Sequence, residues 1–230
     1  MKRLTTTTLA LLAALAIAAP AFAQRDTETV DKTLTMAPGG TLRVKTFSGH
    51  VKITGTSGNQ LIVHAVRRAT RDRLDDIKLE ITQSGSSVEI DANHRLVERR
   101  NDNVVDTDLE IQVPSKTRLD IKTFSAPVTV VNVSSSQVID GFSSDVIIET
   151  SQWDDNMDLE VKTFSGDVRM RLPQNAKGNI DFNSFSGSFE SDLPVTLNSS
   201  SRRNFRGTLN GGGGGDFRLK TFSGDVTIRR

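Results

Sequence analysis

Aligned on a recurring phenylalanine, the chain shows fixed apolar columns. Lys45-Thr46-Phe47-Ser48-Gly49 returns as Lys122-Thr123-Phe124-Ser125-Ala126, Lys162-Thr163-Phe164-Ser165-Gly166 and Lys220-Thr221-Phe222-Ser223-Gly224. Looser copies centre on Phe142, on Phe185 with Gly187, and on Phe205 with Gly207. Three residues before the Phe stand Val44, Ile121, Ile139, Val161, Phe182 and Leu219, with Arg202 the exception. Four residues after it stand Val51, Val128, Val146, Val168, Phe189, Leu209 and Val226. Alternation on both sides of the Phe predicts strand, turn, strand in each copy. From Phe124 onward the Phe-to-Phe steps are 18, 22, 21, 20 and 17 residues.

The alternation changes phase across the motif, so one extra residue must be absorbed at the Phe-Ser-Gly step. A bend or bulge does this, and glycine permits the positive φ that bends often need. Strict alternation places the preceding Thr inward and the Phe outward. A row of exposed Phe would be a large apolar liability, so the rings are expected to stack inside.

A period of about 20 fits two all-β architectures. In a right-handed β-solenoid each period is one coil, and equivalent residues stack strand on strand. In an antiparallel sandwich each period is a hairpin. The solenoid explains why one residue type recurs in each column. It also makes Lys122, Asp140 and Lys162 lateral neighbours of alternating charge. The solenoid is therefore the expected fold, and the sandwich the alternative.

The N-terminal part is less regular. Leu61 to Val66, Ile77 to Ile81, Ser87 to Ile90 and Leu109 to Val113 read as strands. Arg67 to Asp76 reads as a charged loop or a helical turn, and Arg95 to Asp106 as an exposed loop. Gln83-Ser84-Gly85 resembles a Phe-less copy of the motif. Gly211 to Gly215 reads as a flexible loop or a close backbone approach. It is no phosphate cradle, because no helical pattern follows.

Composition then narrows the class. Beyond residue 23, Val plus Ile (32) outnumber Leu (14), as strands prefer. Met1-Lys2-Arg3, the Leu9–Ala19 apolar run and Ala21-Phe22-Ala23 read as a signal peptide over 1–23, cleaved before Gln24. The run is too short for a membrane span, and no later segment supplies one. Residues 24–40 then form a lead-in or cap, and 41–230 the repeat domain. The chain has no Cys, so neither disulfides nor a lipidated cysteine are available. The formal charge of +1 becomes −1 without Lys2 and Arg3, which gives no drive toward nucleic acid. A periplasmic or extracellular location follows as the expectation.

The Lys-Thr-Phe-Ser-Gly-Asp-Val copies, with the closing stretch from Phe205 to Val226, resemble a family of exported bacterial proteins with β-strand repeats. That family is a domain of unknown function labelled "putative adhesin". The resemblance runs from about Thr41 to Arg229. It implies a β-helix-like fold and an envelope or surface location, and some members are linked to envelope-stress sensing. It supplies no catalytic residues. This chain differs in placing Phe where Val or Ile is common in the turn.

Candidate chemistry is sparse. His50, His64 and His94 lie far from any nucleophile elbow, and no Cys is present. Asp154-Asp155-Asn156-Met157-Asp158 begins like a calcium loop but lacks its turn glycine and closing Glu. Asp145 and Asp167 would be stacked neighbours, able to share a cation or a proton as in a β-helix polysaccharide lyase. Turn-forming Asp is the simpler reading. Arg67, Arg68, Arg71 and Arg73, then Arg95, Arg99 and Arg100, form basic clusters diluted by acids. The Arg202 to Arg206 edge could meet an anionic envelope polymer.

The expectation is thus a non-enzymatic structural or adhesion module at the cell envelope, needing no cofactor or metal. Its partner would be an envelope glycan or protein. A β-helix carbohydrate-active enzyme and an envelope-stress sensing partner are the alternatives. Stack ends need caps. Gln24 to Leu34 are expected to cap one, while Val226 to Arg230 leave the other bare for end-to-end association.

Overall fold

The structure is a computed structural model and describes residues 25–95, 104–200 and 203–230. The expected signal segment, residues 1–23, lies outside them. The chain begins with β1 (Asp26–Thr35), β2 (Thr41–Thr56), β3 (Gln60–Ala69), a one-turn-and-a-half helix α1 (Arg71–Asp76), β4 (Ile77–Ser84), β5 (Ser87–Arg95) and β6 (Asp106–Pro114). Strand pairs follow: β7 (Arg118–Ser125) with β8 (Val128–Val131), β9 (Gln137–Gly141) with β10 (Val146–Glu149), and β11 (Leu159–Thr163) with β12 (Val168–Arg171). Next come β13 (Gly178–Ser184) and β14 (Phe189–Ser191), a hairpin of β15 (Val195–Ser200) and β16 (Asn204–Leu209), and finally β17 (Asp216–Thr221) with β18 (Val226–Arg229).

These strands stack in two ladders that meet at the Phe-Ser-Gly corner. In the first, β5, the front half of β2, β7, β9, β11, β17 and β13 pair in parallel. In the second, β6, the back half of β2, β8, β10, β12, β18 and β14 do the same. Parallel, in-register coils make this a β-solenoid-like stack, not an array of hairpins. The predicted apolar columns all point into one core: Val44, Ile121, Ile139, Val161 and Leu219 from the first ladder, Val51, Val128, Val146, Val168 and Val226 from the second.

The stack order departs from chain order. The last coil, β17–β18, lies between the β11–β12 and β13–β14 coils. The bare end expected at Val226 to Arg230 is therefore interior. The glycine run makes this insertion feasible. Gly211, Gly212 and Gly213 take positive φ. A Cβ on Gly214 would meet the Lys177 carbonyl oxygen at 2.4 Å, and one on Gly215 that of Met157 at 2.0 Å. Only glycine lets the backbone pass so close to both neighbouring coils.

Two expectations for the N-terminal part change. Gln83-Ser84-Gly85 is no corner copy but the turn of the antiparallel β4–β5 hairpin. Arg67 belongs to β3, not to a loop, and is fully buried with its guanidinium donating to Glu28 and to the Ile77 carbonyl. β3 runs antiparallel to both β6 and β1, so β1 edges the second ladder. Val30 and Leu34 of β1, with Leu79 and Ile81 of β4, pack on the core. Lys32 and Gln83 tie β1 and β4 together through the Ile81 and Thr35 carbonyls. β1 and β4 thus cover this end of the stack.

Candidate functional site

Each residue of the repeated motif has a separate physical task. The Thr points inward. Thr163 and Thr221 donate to the Gly166 and Gly224 carbonyls at 3.0 and 2.8 Å, satisfying a corner carbonyl beside the core. The Phe and the following Ser both face out, which is how the extra residue is absorbed. The Gly is required by packing between coils. A Cβ on Gly166 would meet the Ser144 carbonyl oxygen at 2.2 Å, one on Gly224 that of Gly166 at 2.0 Å, and one on Gly187 that of Gly224 at 1.9 Å. Positive φ explains Gly49 but not these three.

The Phe rings are therefore not inside, contrary to expectation. Phe124, Phe142, Phe164, Phe222 and Phe185 are 43–61% exposed. They nevertheless stack. From Phe47 the row runs through Phe124, Phe142, Phe164 and Phe222 to Phe185, with centroids 4.6–5.0 Å apart and planes within 14°. Stacking hides the ring faces from water and leaves only the edges, which lowers the liability of external Phe. Arg203 covers the end of the row, 5.8 Å above the Phe185 ring.

Phe205 stands apart from this ridge. β16 runs antiparallel to β13, with Phe205 opposite Phe182. Its ring packs edge-on against Phe189 at 4.9 Å. Gly207 is a mid-strand glycine, where a Cβ would meet the Thr196 carbonyl oxygen at 2.5 Å. Sequence spacing alone could not separate this hairpin from a coil, because its Phe keeps the repeat interval.

Charged columns flank the ridge. Lys122, Asp140 and Lys162 are lateral neighbours, as expected, and the next in the row is Lys220. Lys162 is held by Glu160, whose hydrogen bond raises the lysine and lowers the carboxyl from their ordinary values. On the other flank, Asp145 accepts the Asp167 amide at 2.9 Å, Asp167 accepts the Asp225 amide at 3.0 Å, and Asp225 accepts the Ser188 amide and hydroxyl at 2.8 Å. Those last two bonds hold the Asp225 carboxyl below the usual aspartate range. Each carboxylate is thus a rung joining coils, a role that neither sequence reading, shared cation or turn-forming Asp, assigned to it.

The remaining candidates are likewise engaged. Asp154 pairs with Lys116 at 2.6 Å, Asp155 with Lys177 at 2.9 Å, and Asp158 accepts the Asp216 amide at 3.0 Å. His50 meets Asp108 at 3.1 Å, His64 meets Asp31 at 2.6 Å and His94 meets Glu80 at 2.9 Å, all on the surface. Of the C-terminal basic edge, Arg206 pairs with Asp181 at 3.2 Å and Arg203 donates to the Phe185 carbonyl; Arg202 lies outside the described residues, as do Arg99 and Arg100. Among the described residues no group of three acidic or histidine side chains is arranged to hold a metal, and no helix is long and apolar enough to cross a membrane.

At the end of the stack opposite β1, a cleft of about 770 Å³ opens between β14 and the β15–β16 hairpin, lined by Phe182, Phe189, Leu193, Leu197 and Phe205 with Arg203 at its rim.

Comparison with solved structures finds the same fold in a "putative cell adhesion protein" from Clostridium sporogenes ATCC 15579, with a TM-score of 0.66 and 10% identity over 88% of this chain and 99% of that one. A "putative adhesin" from Parabacteroides distasonis ATCC 8503 is more distant, with a TM-score of 0.32 and 10% identity over 87% of this chain and 70% of the other. No curated protein matches the chain. The family model for Toastrack DUF4097 matches residues 24–229, nearly all of the sequence, and the chain belongs to that family.

Proposed function

We propose that this protein is an exported, non-enzymatic scaffold of the cell envelope that binds a protein partner along its phenylalanine ridge. The observation that carries the reading is the ridge itself: a continuous row of stacked, externally placed rings. A sugar ring stacks on an aromatic face, and neighbouring rings already cover those faces. The exposed edges offer a narrow apolar strip between a lysine-rich and an aspartate-rich column, a surface suited to an amphipathic segment of a protein. The likeness in fold to one protein described as a "putative cell adhesion protein" supports a binding role. The rival carbohydrate-active enzyme would use the Asp145–Asp167–Asp225 column, in which one oxygen of each carboxylate is committed to a neighbouring amide. Location at the envelope rests on the basic, apolar, small-residue start of the sequence.

The test is capture from envelope fractions by the wild-type chain and by a Phe142→Ser, Phe164→Ser double variant. A protein retained by the first and lost by the second, with both variants folded, is the expected result. Retention of a glycan by both, or turnover of an acidic polysaccharide, would overturn the reading.

A further inference from the structure

The two ladders end at different heights. The first continues past the β13–β14 coil by two strands, since β16 pairs antiparallel with β13 and β15 antiparallel with β16. The second stops at β14, which pairs only with β18 among the described strands. The stack therefore ends in a step, an overhang two strands wide beside a notch two strands deep. At about 4.8 Å per strand both measure about 10 Å. The notch is the 770 Å³ cleft. Its floor is the half-buried Phe189, and its wall carries Leu197, 55% exposed.

We infer that a second copy of this chain fills the notch, forming a closed two-fold, end-to-end dimer. Consider a two-fold axis parallel to the strands and midway between the ladders. It exchanges the ladders and keeps the strand direction. The overhang of one protomer then enters the notch of the other, and both positions beyond each β14 are filled. β15 of one copy lies beside β14 of its partner with opposite direction, so the new pairing is antiparallel, which suits two free edges. Across the joint, Leu197 comes to face the partner's Phe205, and an exposed leucine becomes core.

Charge favours the same occupant. The described residues of the hairpin carry Arg203 and Arg206 and no acid. At the free end of the second ladder Glu190 and Asp192 share Arg229, and Arg230 donates to the Asp192 carbonyl. Joining the ends sets the basic hairpin of one copy beside Glu190 and Asp192 of the other. Because the interface is isologous, it closes at two copies and leaves the capped β1–β4 ends outward.

This inference does not depend on the ligand of the ridge. Sedimentation of the full chain, as recovered from the producing cell, should give twice the monomer mass, and amide exchange at Phe189 and Ser191 should slow as concentration rises. Leu197→Arg, at a position already exposed in one protomer, should weaken association by about tenfold or more while the monomer melts as before. A monomer at high concentration, an open-ended filament, or a dimer indifferent to Leu197→Arg would each overturn the inference.

Discussion

Phe164 stacks on Phe222 with centroids 4.6 Å apart and planes 7° from parallel, although the whole coil of Phe185 lies between them in the chain. The last strands are therefore interior to the stack. Deleting residues 211–230 should not merely shorten one end. It removes the shared partner of β11 and β13, and of β12 and β14. The expected result is rapid proteolysis within residues 178–210, while the coils before β12 still melt cooperatively. A truncated chain as protease-resistant as the parent would contradict the stack order.

The glycine column gives a local test. Gly224→Ala places a methyl against the Gly166 carbonyl oxygen, where backbone on both sides cannot move independently. A loss of about 1–3 kcal/mol is expected in denaturant unfolding. Gly58→Ala, whose nearest neighbour is a side-chain oxygen at 3.8 Å, should be close to neutral.

The ridge also contributes to stability. Phe142 stacks on both Phe124 and Phe164. With about 0.5–1.5 kcal/mol per aromatic pair, Phe142→Ser should cost about 1–3 kcal/mol. Had the rings been core residues, a cost nearer 3–5 kcal/mol would be expected. Chemical denaturation of the single variant separates the two.

Asp225 supplies a pH dependence. Its carboxyl is held below the ordinary value of 3.8 by the Ser188 amide and hydroxyl. A depressed folded value means that the contribution is complete above the ordinary aspartate range and is lost as pH falls through the folded value. The melting temperature of the wild type should therefore exceed that of Asp225→Asn near pH 7, and the gap should narrow toward pH 3. A gap that is constant with pH would remove the carboxylate from this role.

Much of this was readable from residues alone because the signals are local. Alternation of Val, Ile and Leu on either side of each Phe reports which side chains a strand turns inward, and the Val, Ile and Leu of those columns are buried, while Phe189 is half-buried. The Lys122, Asp140, Lys162 alternation likewise followed from coil spacing. The motif's inner chemistry was only half legible. Glycine was expected for its φ, yet the Gly166, Gly224 and Gly187 column answers to carbonyls of neighbouring coils, which no single repeat displays.

What the sequence by itself determined is the coil: its period, its apolar columns and its corner. Tertiary structure alone decided the order of the coils, the outward Phe ridge and the step at one end. The reason is that one Val column packs as well on any other, so a repeated pattern cannot say which copy is its neighbour. Whether a corner Phe faces in or out depends on a single residue of phase, absorbed where Phe and Ser both turn outward. And an antiparallel hairpin carries the same alternation as a coil, so only the pairing of β16 with β13 shows that the second ladder ends two strands early.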